Sequence, residues 1–320
     1  MIHCLPVPTP FRVGLVNCYL VKDDPLTLVD VGPNSGASLV ALEAGLAEHG
    51  VRIEDLERIV ITHHHTDHLG LVGILAERSG AEVCALDQLA PVVEDFGAYV
   101  DRNDAFAQEL MRRHGIGTDV VTALAAVARA YRGWGGSAPV SRRLADGGEL
   151  AFASRTFEVL HRPGHSPGDT VFYDPRDGTL LAGDHLIKHI SSNPLIAYPL
   201  AGEPQERPRA LVTYLESLRL TQAMPIRTVL PGHGEAFSDH AALIGERFAL
   251  HERRARKIHG LIAERPRSAH ELAQAIWGNV AVTQAFLTLS EVLGHIDLLI
   301  ERGEVTEHTD DGVVVWATSS

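Results

Sequence analysis

Apolar residues in the first third of the chain fall in short branched runs rather than in long helical stripes. Residues 13–21 and 26–31 predict two strands, parted by the turn-forming Lys22-Asp23-Asp24-Pro25. Gly32-Pro33-Asn34-Ser35-Gly36 breaks the second strand, and residues 37–48 have the spacing of an amphipathic helix that stops near Gly50. Residues 56–62 predict a buried strand, followed by a histidine cluster and a helix over 67–78. Strand, loop and helix recur in that order, which predicts an α/β sandwich with its sites beyond the carboxyl ends of strands.

Residues 92–135 differ in texture. Residues 106–114 and 119–132 carry helical apolar spacing and are joined by Gly115-Ile116-Gly117. This reads as an inserted helical pair that packs on the sandwich, frames a substrate pocket, or does both. Strand patterns return from Leu144, with short runs at 156–161, 169–173, 179–182 and 228–230 and turns at Asp146-Gly147-Gly148 and 174–178. A long Arg-rich helix over 239–265 follows. Ser268 with Glu271 three residues on forms a capping box for a helix to Trp277, and a further helix covers 283–302. Two β runs, 305–309 and 313–317, flank the hairpin signal Asp310-Asp311-Gly312. Helices followed by a hairpin predict a winged-helix C-terminal domain over 246–320, behind a catalytic domain over 1–245.

Composition narrows the picture. With 45% hydrophobic residues, the 320-residue chain can bury a sizeable core. Its net charge of −13 argues against broad nucleic-acid binding, which needs clustered Lys and Arg. Cys4, Cys18 and Cys84 are too few and too scattered for a disulfide framework and read as small buried residues. The opening MIHCLPVPTPF lacks the charged and apolar regions of a signal peptide, and no run approaches ~20 apolar residues. A cytoplasmic location with no membrane contact is the expectation.

The chemistry concentrates in four places. Thr62-His63-His64-His65-Thr66-Asp67-His68 holds the pattern His-x-His-x-Asp-His where a buried strand meets a helix. Residues two apart in extended chain point the same way, so His63 and His65 can share one metal ion while Asp67 and His68 face another. Further on, Pro163-Gly164-His165-Ser166-Pro167-Gly168, Leu181-Ala182-Gly183-Asp184-His185 and Val229-Leu230-Pro231-Gly232-His233-Gly234 each put a donor just past a strand. Imidazole with carboxylate suits zinc first, and also iron or manganese. A lone histidine is ordinarily structural; seven donors at strand ends are not coincidence.

This pattern resembles that of the metallo-β-lactamase superfamily. The resemblance implies an αββα sandwich over about residues 1–240. It implies that His63, His65 and His165 hold one ion, that Asp67, His68 and His233 hold a second, and that Asp184 bridges them. Asp30 resembles the early strand-end aspartate of the family, which orients a ligand histidine through its far nitrogen. The implied reaction is hydrolysis by a hydroxide bridging two divalent ions. Asp67 would orient that water, and His185 would either donate a proton to the leaving group or play a supporting structural role. His64, Tyr198, His189 and Lys188 are weaker candidates for contact with substrate.

The C-terminal segment resembles the winged-helix tail of one branch of the superfamily, a branch that includes endoribonucleases. Residues 283–301 contain no Lys or Arg but do contain Glu291, Asp297 and Glu301, so groove binding is not expected. The segment reads instead as a packing or oligomerisation element, compatible with a homodimer. The leading expectation is therefore a small-molecule thioester, ester or lactone as substrate, with the thioester first. Phosphodiester or RNA cleavage is the alternative, and a non-enzymatic effector-binding protein a second one. β-Lactam hydrolysis ranks low without an export signal, and di-iron redox chemistry without a flavin domain.

Overall fold

The computed structural model describes residues 1–202 and 206–319. In chain order it contains β1 (Ile2–Val7), β2 (Val16–Val21), β3 (Thr27–Val29), α1 (Gly36–Glu48), β4 (Arg58–Val60), α2 (Thr66–Leu69), α3 (Val72–Ser79) and β5 (Glu82–Leu86). Then come α4 (Ala90–Glu94), α5 (Phe96–Arg113), α6 (Thr118–Tyr131), β6 (Arg142–Leu144), β7 (Glu149–Ala151), β8 (Thr156–His161), β9 (Thr170–Asp174) and β10 (Thr179–Gly183). The last part holds α7 (Ala210–Gln222), β11 (Thr228–Pro231), α8 (His240–Glu264), β12 (Arg267–Ser268), α9 (Ala269–Trp277), α10 (Val280–Thr283), α11 (Ala285–Glu301), β13 (Val305–Asp310) and β14 (Val313–Thr318).

Two sheets face each other, in the orders β1-β2-β3-β4-β5-β6 and β11-β10-β9-β8-β7. The two-residue period of a strand explains how the second sheet serves two cores. Phe172 and Leu181 enter the core shared with the first sheet, together with Phe157 and Val159. Their neighbours Val171, Tyr173, Leu180 and Ala182 turn the other way and pack on Leu211, Tyr214, Leu215 and Leu218 of α7 and Ile244 of α8. On the outside of the first sheet, Leu42 and Leu46 of α1 and Leu75 of α3 join the central core. The layers are helix, sheet, sheet, helix, as the family resemblance implied. β2 is buried at every residue because both its faces are covered.

Several expected elements have different bounds. The strand over 13–21 begins at Val16, and the helix over 67–78 is split at Gly70 into α2 and α3. A Cβ on Gly70 would lie 2.3 Å from the Asn34 amide and the Trp134 carbonyl, so the backbone crowding there admits only glycine. The first inserted helix starts at Phe96, ten residues early, because the carboxylate of Asp95 caps it by accepting from the Ala98 amide. The helix over 283–302 forms as α11, beginning two residues late at Ala285 after the short separate helix α10. Cys18 and Cys84 are buried as expected, whereas Cys4, on the edge strand β1, is exposed.

Beyond the sandwich, β12, β14 and β13 form a small antiparallel sheet against α9 to α11. The boundary expected after residue 245 falls within the continuous helix α8. Moreover, Leu110, Met111, Ile116 and Val121 of the inserted segment share one core with Ile258, Ala273, Leu293 and Trp316 of the last part of the chain. No helix among the described residues is long and apolar enough to cross a membrane.

Candidate metal centre

The donors of the sequence reading converge at one end of the sandwich. β3 and β4 run parallel in the first sheet; β8, β10 and β11 share one direction in the second. The loops that follow these strands carry Asp30, the His63–His68 cluster, His165, Asp184 and His233. The last of these loops is tied across to the first sheet: the Asn17 amide donates to the Gly232 carbonyl at 2.7 Å, and Tyr19 Oη donates to the Pro231 carbonyl at 2.7 Å. Gly232 has a reason of its own, since a Cβ there would stand 2.2 Å from Asp184 Oδ1.

His63 Nε2, His65 Nδ1 and His165 Nε2 form one group, with His65 Nδ1 at 3.1 Å from the first and 2.9 Å from the last. Asp67, His68 and His233 form another, with His233 Nε2 3.4 Å from Asp67 Oδ2. Asp184 lies between them: Oδ1 is 3.4 Å from His68 Nε2, and Oδ2 is 3.5 Å from His165 Nε2 and 3.4 Å from His233 Nε2.

The outer ring nitrogens fix where the protons sit. His165 Nδ1 donates to the Asn193 carbonyl at 3.1 Å, and His233 Nδ1 to the Leu15 carbonyl at 2.8 Å. His68 Nδ1 donates to Asp30 Oδ2 at 2.7 Å. Asp30 also accepts from Thr62 Oγ1 at 2.8 Å, which leaves that hydroxyl to accept from His63 Nδ1 at 3.0 Å. One buried carboxylate thus orients two histidines. It does so from a left-handed backbone (φ 58°), and a third hydrogen bond, from the Thr62 amide at 2.9 Å, holds it there.

Because every outer nitrogen but that of His65 donates outward, the inner nitrogens are lone pairs aimed at one another. His68 Nε2, His233 Nε2 and Asp184 Oδ1 are buried and have no hydrogen-bond partner. Converging lone pairs beside two carboxylates repel unless a cation lies among them, so the donor set fits a metal pair. In the bare site protons stand in for such a cation on two of the rings, His68 and His233. Burial and neighbouring histidines push His63 and His65 well below the ordinary histidine range. Burial also opposes charge on His68 and His233, but the carboxylates outweigh it; Asp184 above all holds His68 well above its ordinary value and raises His233 to about 9.

His185, expected either as a proton donor or in a supporting structural role, is turned away from these groups. Its ring is fully buried against α7, with Nε2 2.8 Å from Thr221 Oγ1, and it does not line the cavity above the centre. Burial lowers its pKa to about 3, so at physiological pH the ring is neutral and is no imidazolium acid. The supporting role is the one the geometry gives it. Tyr198 packs on Phe106, with the Arg102 guanidinium 5.8 Å from its ring, and Lys188 and His189 are exposed. His64 does line the cavity, edge-on to the Tyr99 ring at 5.0 Å. Thr62 and the carbonyls of Leu15 and Asn193 escaped the sequence reading; of these only Thr62, next to the cluster, carries a signal in its position.

A cavity of about 570 Å³ opens above the donors. Phe11 closes one side, Phe96 and Tyr99 of α5 another, and Phe286 of α11 a third. The first inserted helix, α5, and the last part of the chain therefore both frame the pocket, while α6 does not reach it.

The family model described as "Metallo-beta-lactamase superfamily" matches residues 11–233, a span that holds all seven donors and Asp30. The chain belongs to the metallo-β-lactamase superfamily. It is 33% identical over 312 residues to the probable metallo-hydrolase YqjP of Bacillus subtilis (strain 168), covering 98% of this chain and 96% of that one. Among solved structures it is similar to a metallo-beta-lactamase family protein of Thermus thermophilus, with 28% identity, TM-score 0.80, and 99% and 98% of the two chains covered. A beta-lactamase domain protein of Burkholderia ambifaria is similar at 29% identity and TM-score 0.84, with 99% and 92% covered. Both similarities run through the C-terminal segment as well as the sandwich. Superfamily and converging donors together make this a metal-dependent hydrolase.

Proposed function

We propose that the protein hydrolyses a small-molecule thioester, ester or lactone at a dinuclear centre. His63, His65 and His165 would hold one ion, Asp67, His68 and His233 the other, and Asp184, which lies between the two groups, would serve both. When bound, a pair of divalent cations, zinc for this donor set, supplies Lewis acidity and a water of lowered pKa. The chain's own residues do the rest. Asp30 and Thr62 keep the histidines aimed inward, and the carboxylate of Asp67 orients the attacking water. The apolar walls exclude bulk water and strengthen each electrostatic contact inside.

The observation that carries this reading is the cavity itself: about 570 Å³, within the ~300–1,000 Å³ typical of small-molecule sites, directly above the donors. Cleavage of RNA is disfavoured on new grounds. In α11, which a winged-helix reading would send into a groove, every residue from Thr288 to Leu299 is buried. That helix is a wall of the protein core and not a reading head. We therefore take the segment after α8 as a winged-helix-like module whose task is to complete the pocket, in a protein that acts in the cytoplasm.

Elemental analysis of the purified chain, run beside a panel of thioester, lactone, phosphodiester and β-lactam substrates, tests the proposal. About two metal ions per chain with thioester, ester or lactone turnover is the expected result. A chain that binds no zinc, manganese or iron would overturn it.

A further inference from the structure

The walls of the cavity say more about the substrate than its size does. None of the described residues that line it is a lysine or an arginine, and its only acids, Asp67 and Asp184, belong to the donor cluster. Of the polar side chains that remain, His64, Ser191 and Asn193 each offer one buried, unpartnered and uncharged atom, and others are committed to the protein. Tyr99 Oη donates to the Tyr198 carbonyl at 2.9 Å, Asn103 Oδ1 accepts from the Tyr198 amide at 2.9 Å, and Ser192 Oγ donates to the Asp184 carbonyl.

Several cations near the cavity are spent elsewhere. Arg247 donates to the carbonyls of Ile187, Lys188 and Ile190, at 3.2, 2.9 and 2.9 Å, and so braces the loop after Asp184 from outside. Arg254, in a neighbouring cavity, is paired with Glu291 and lies 5.5 Å from the Trp277 ring. Arg207 is held by Asp297, and Lys188 is exposed and does not line the cavity.

We propose that the substrate of this site is an ester or thioester whose acyl group is uncharged and apolar. The inference rests on the hydrolytic reading above and names the substrate class for it. A carboxylate or phosphate drawn into this cavity away from the metal centre loses its hydration and meets no cation in return. That disfavours glutathione conjugates and other anionic acyl carriers as the group lodged in the cavity. A hydrocarbon chain gains with every methylene buried against Phe96, Val100 and Phe286. In the reaction, the oxygen of water bonds to the carbonyl carbon, the C–S or C–O bond breaks, and the leaving thiol or alcohol takes up a proton. The products are an apolar carboxylic acid and a neutral thiol or alcohol.

The test uses the metal-loaded full chain and straight-chain acyl thioesters of N-acetylcysteamine, from acetyl to octanoyl, beside analogues ending in a carboxylate. The rate constant kcat/KM should rise about fourfold per methylene, equivalent to ~0.8 kcal/mol. A terminal carboxylate should lower it roughly 100-fold against the neutral chain of equal length. Phe286→Ala should flatten the rise. Leu287→Lys, at a lining position that is 37% exposed and so tolerant of a charge, should restore about tenfold to the carboxylate series. Rates independent of acyl length, or a preference for the anionic chains in the unaltered protein, would overturn the proposal. Turnover of no thioester, ester or lactone at all would instead sink the hydrolytic reading. In that case calorimetry on the metal-free chain, where a carboxylate has no ion to ligate, still decides the point. Octanamide should bind while its ω-carboxylate analogue does not; the reverse, or binding of neither, would count against an apolar acyl site.

Discussion

The donor cluster and the cavity wall face the same space but are built in opposite ways. Each donor lies in a short motif directly beyond a strand, and four of them, His63, His68, His165 and His233, are each oriented by a hydrogen bond to a carboxylate, a hydroxyl or a backbone carbonyl. The wall is assembled from Phe11, Phe96 and Phe286, residues scattered over most of the chain and held by packing alone. A metal site demands particular donor atoms at particular places, so few residues can fill its positions. A wall demands only shape and apolarity, which many residues supply. Chemistry and specificity are thereby separable here, and substitutions should show the separation.

The largest effect belongs to the centre. Asp184→Ala should remove bound metal and lower kcat/KM by about 10³-fold or more, read by elemental analysis and turnover together, while the cavity still binds neutral amides. Retention of full metal content and activity would dissolve the contrast at once. Next comes the support of the donors. Asp30→Asn should weaken metal affinity by about 10–100-fold in a chelator competition, because His68 loses its acceptor and His63 the far end of its relay. Thr62→Val, which breaks only the relay to His63, should cost less.

The wall should fail differently. Leu293 of α11 is fully buried in the core that joins the inserted helices to the C-terminal elements. Leu293→Ala should cost about 2–5 kcal/mol in denaturant unfolding, with metal stoichiometry unchanged. Acid should find the same region. Burial lowers His251 and His295 to about 4, below their ordinary value of 6.5. The unfolded chain therefore takes up protons first as pH falls. Their contribution is complete above pH 6.5 and is lost on acidification through about 4, on the order of a few kcal/mol. Hydrogen exchange at pH 4.5 should show α8 and α11 opening before the central sheets. The smallest expected effect is at the capping box, where Ser268 Oγ accepts from the Glu271 amide and Glu271 Oε2 from the Ser268 amide. Ser268→Ala should cost about 1 kcal/mol of stability and leave metal binding untouched.

The legible parts of this molecule are those in which a local requirement leaves a local mark. The continuous apolar runs of β9 and β10, buried on both faces, the turn at Asp146-Gly147, the capping box at Ser268 and the run from His63 to His68 are each visible over a few residues. The early start of α5 was less visible, since Asp95 as its cap stands among unremarkable neighbours. His185 shows the limit of reading by adjacency. It follows Asp184 in the chain, yet the backbone turns at Gly183 and Asp184, and the histidine ring passes into the α7 core. Two residues side by side in sequence end up on opposite sides of a strand end.

By itself the sequence determined the layered α/β architecture, the family, and the set of donors that meet at the strand ends, because metal chemistry and strand periodicity both act within a few residues of chain. Only the tertiary structure decided that Asp30 serves two histidines, that α11 is a buried wall, and that the cavity over the centre is largely apolar, with no lysine or arginine among the described residues that line it. Those properties arise where segments far apart in the chain are brought within a few ångströms of each other, and no spacing along the chain encodes that distance.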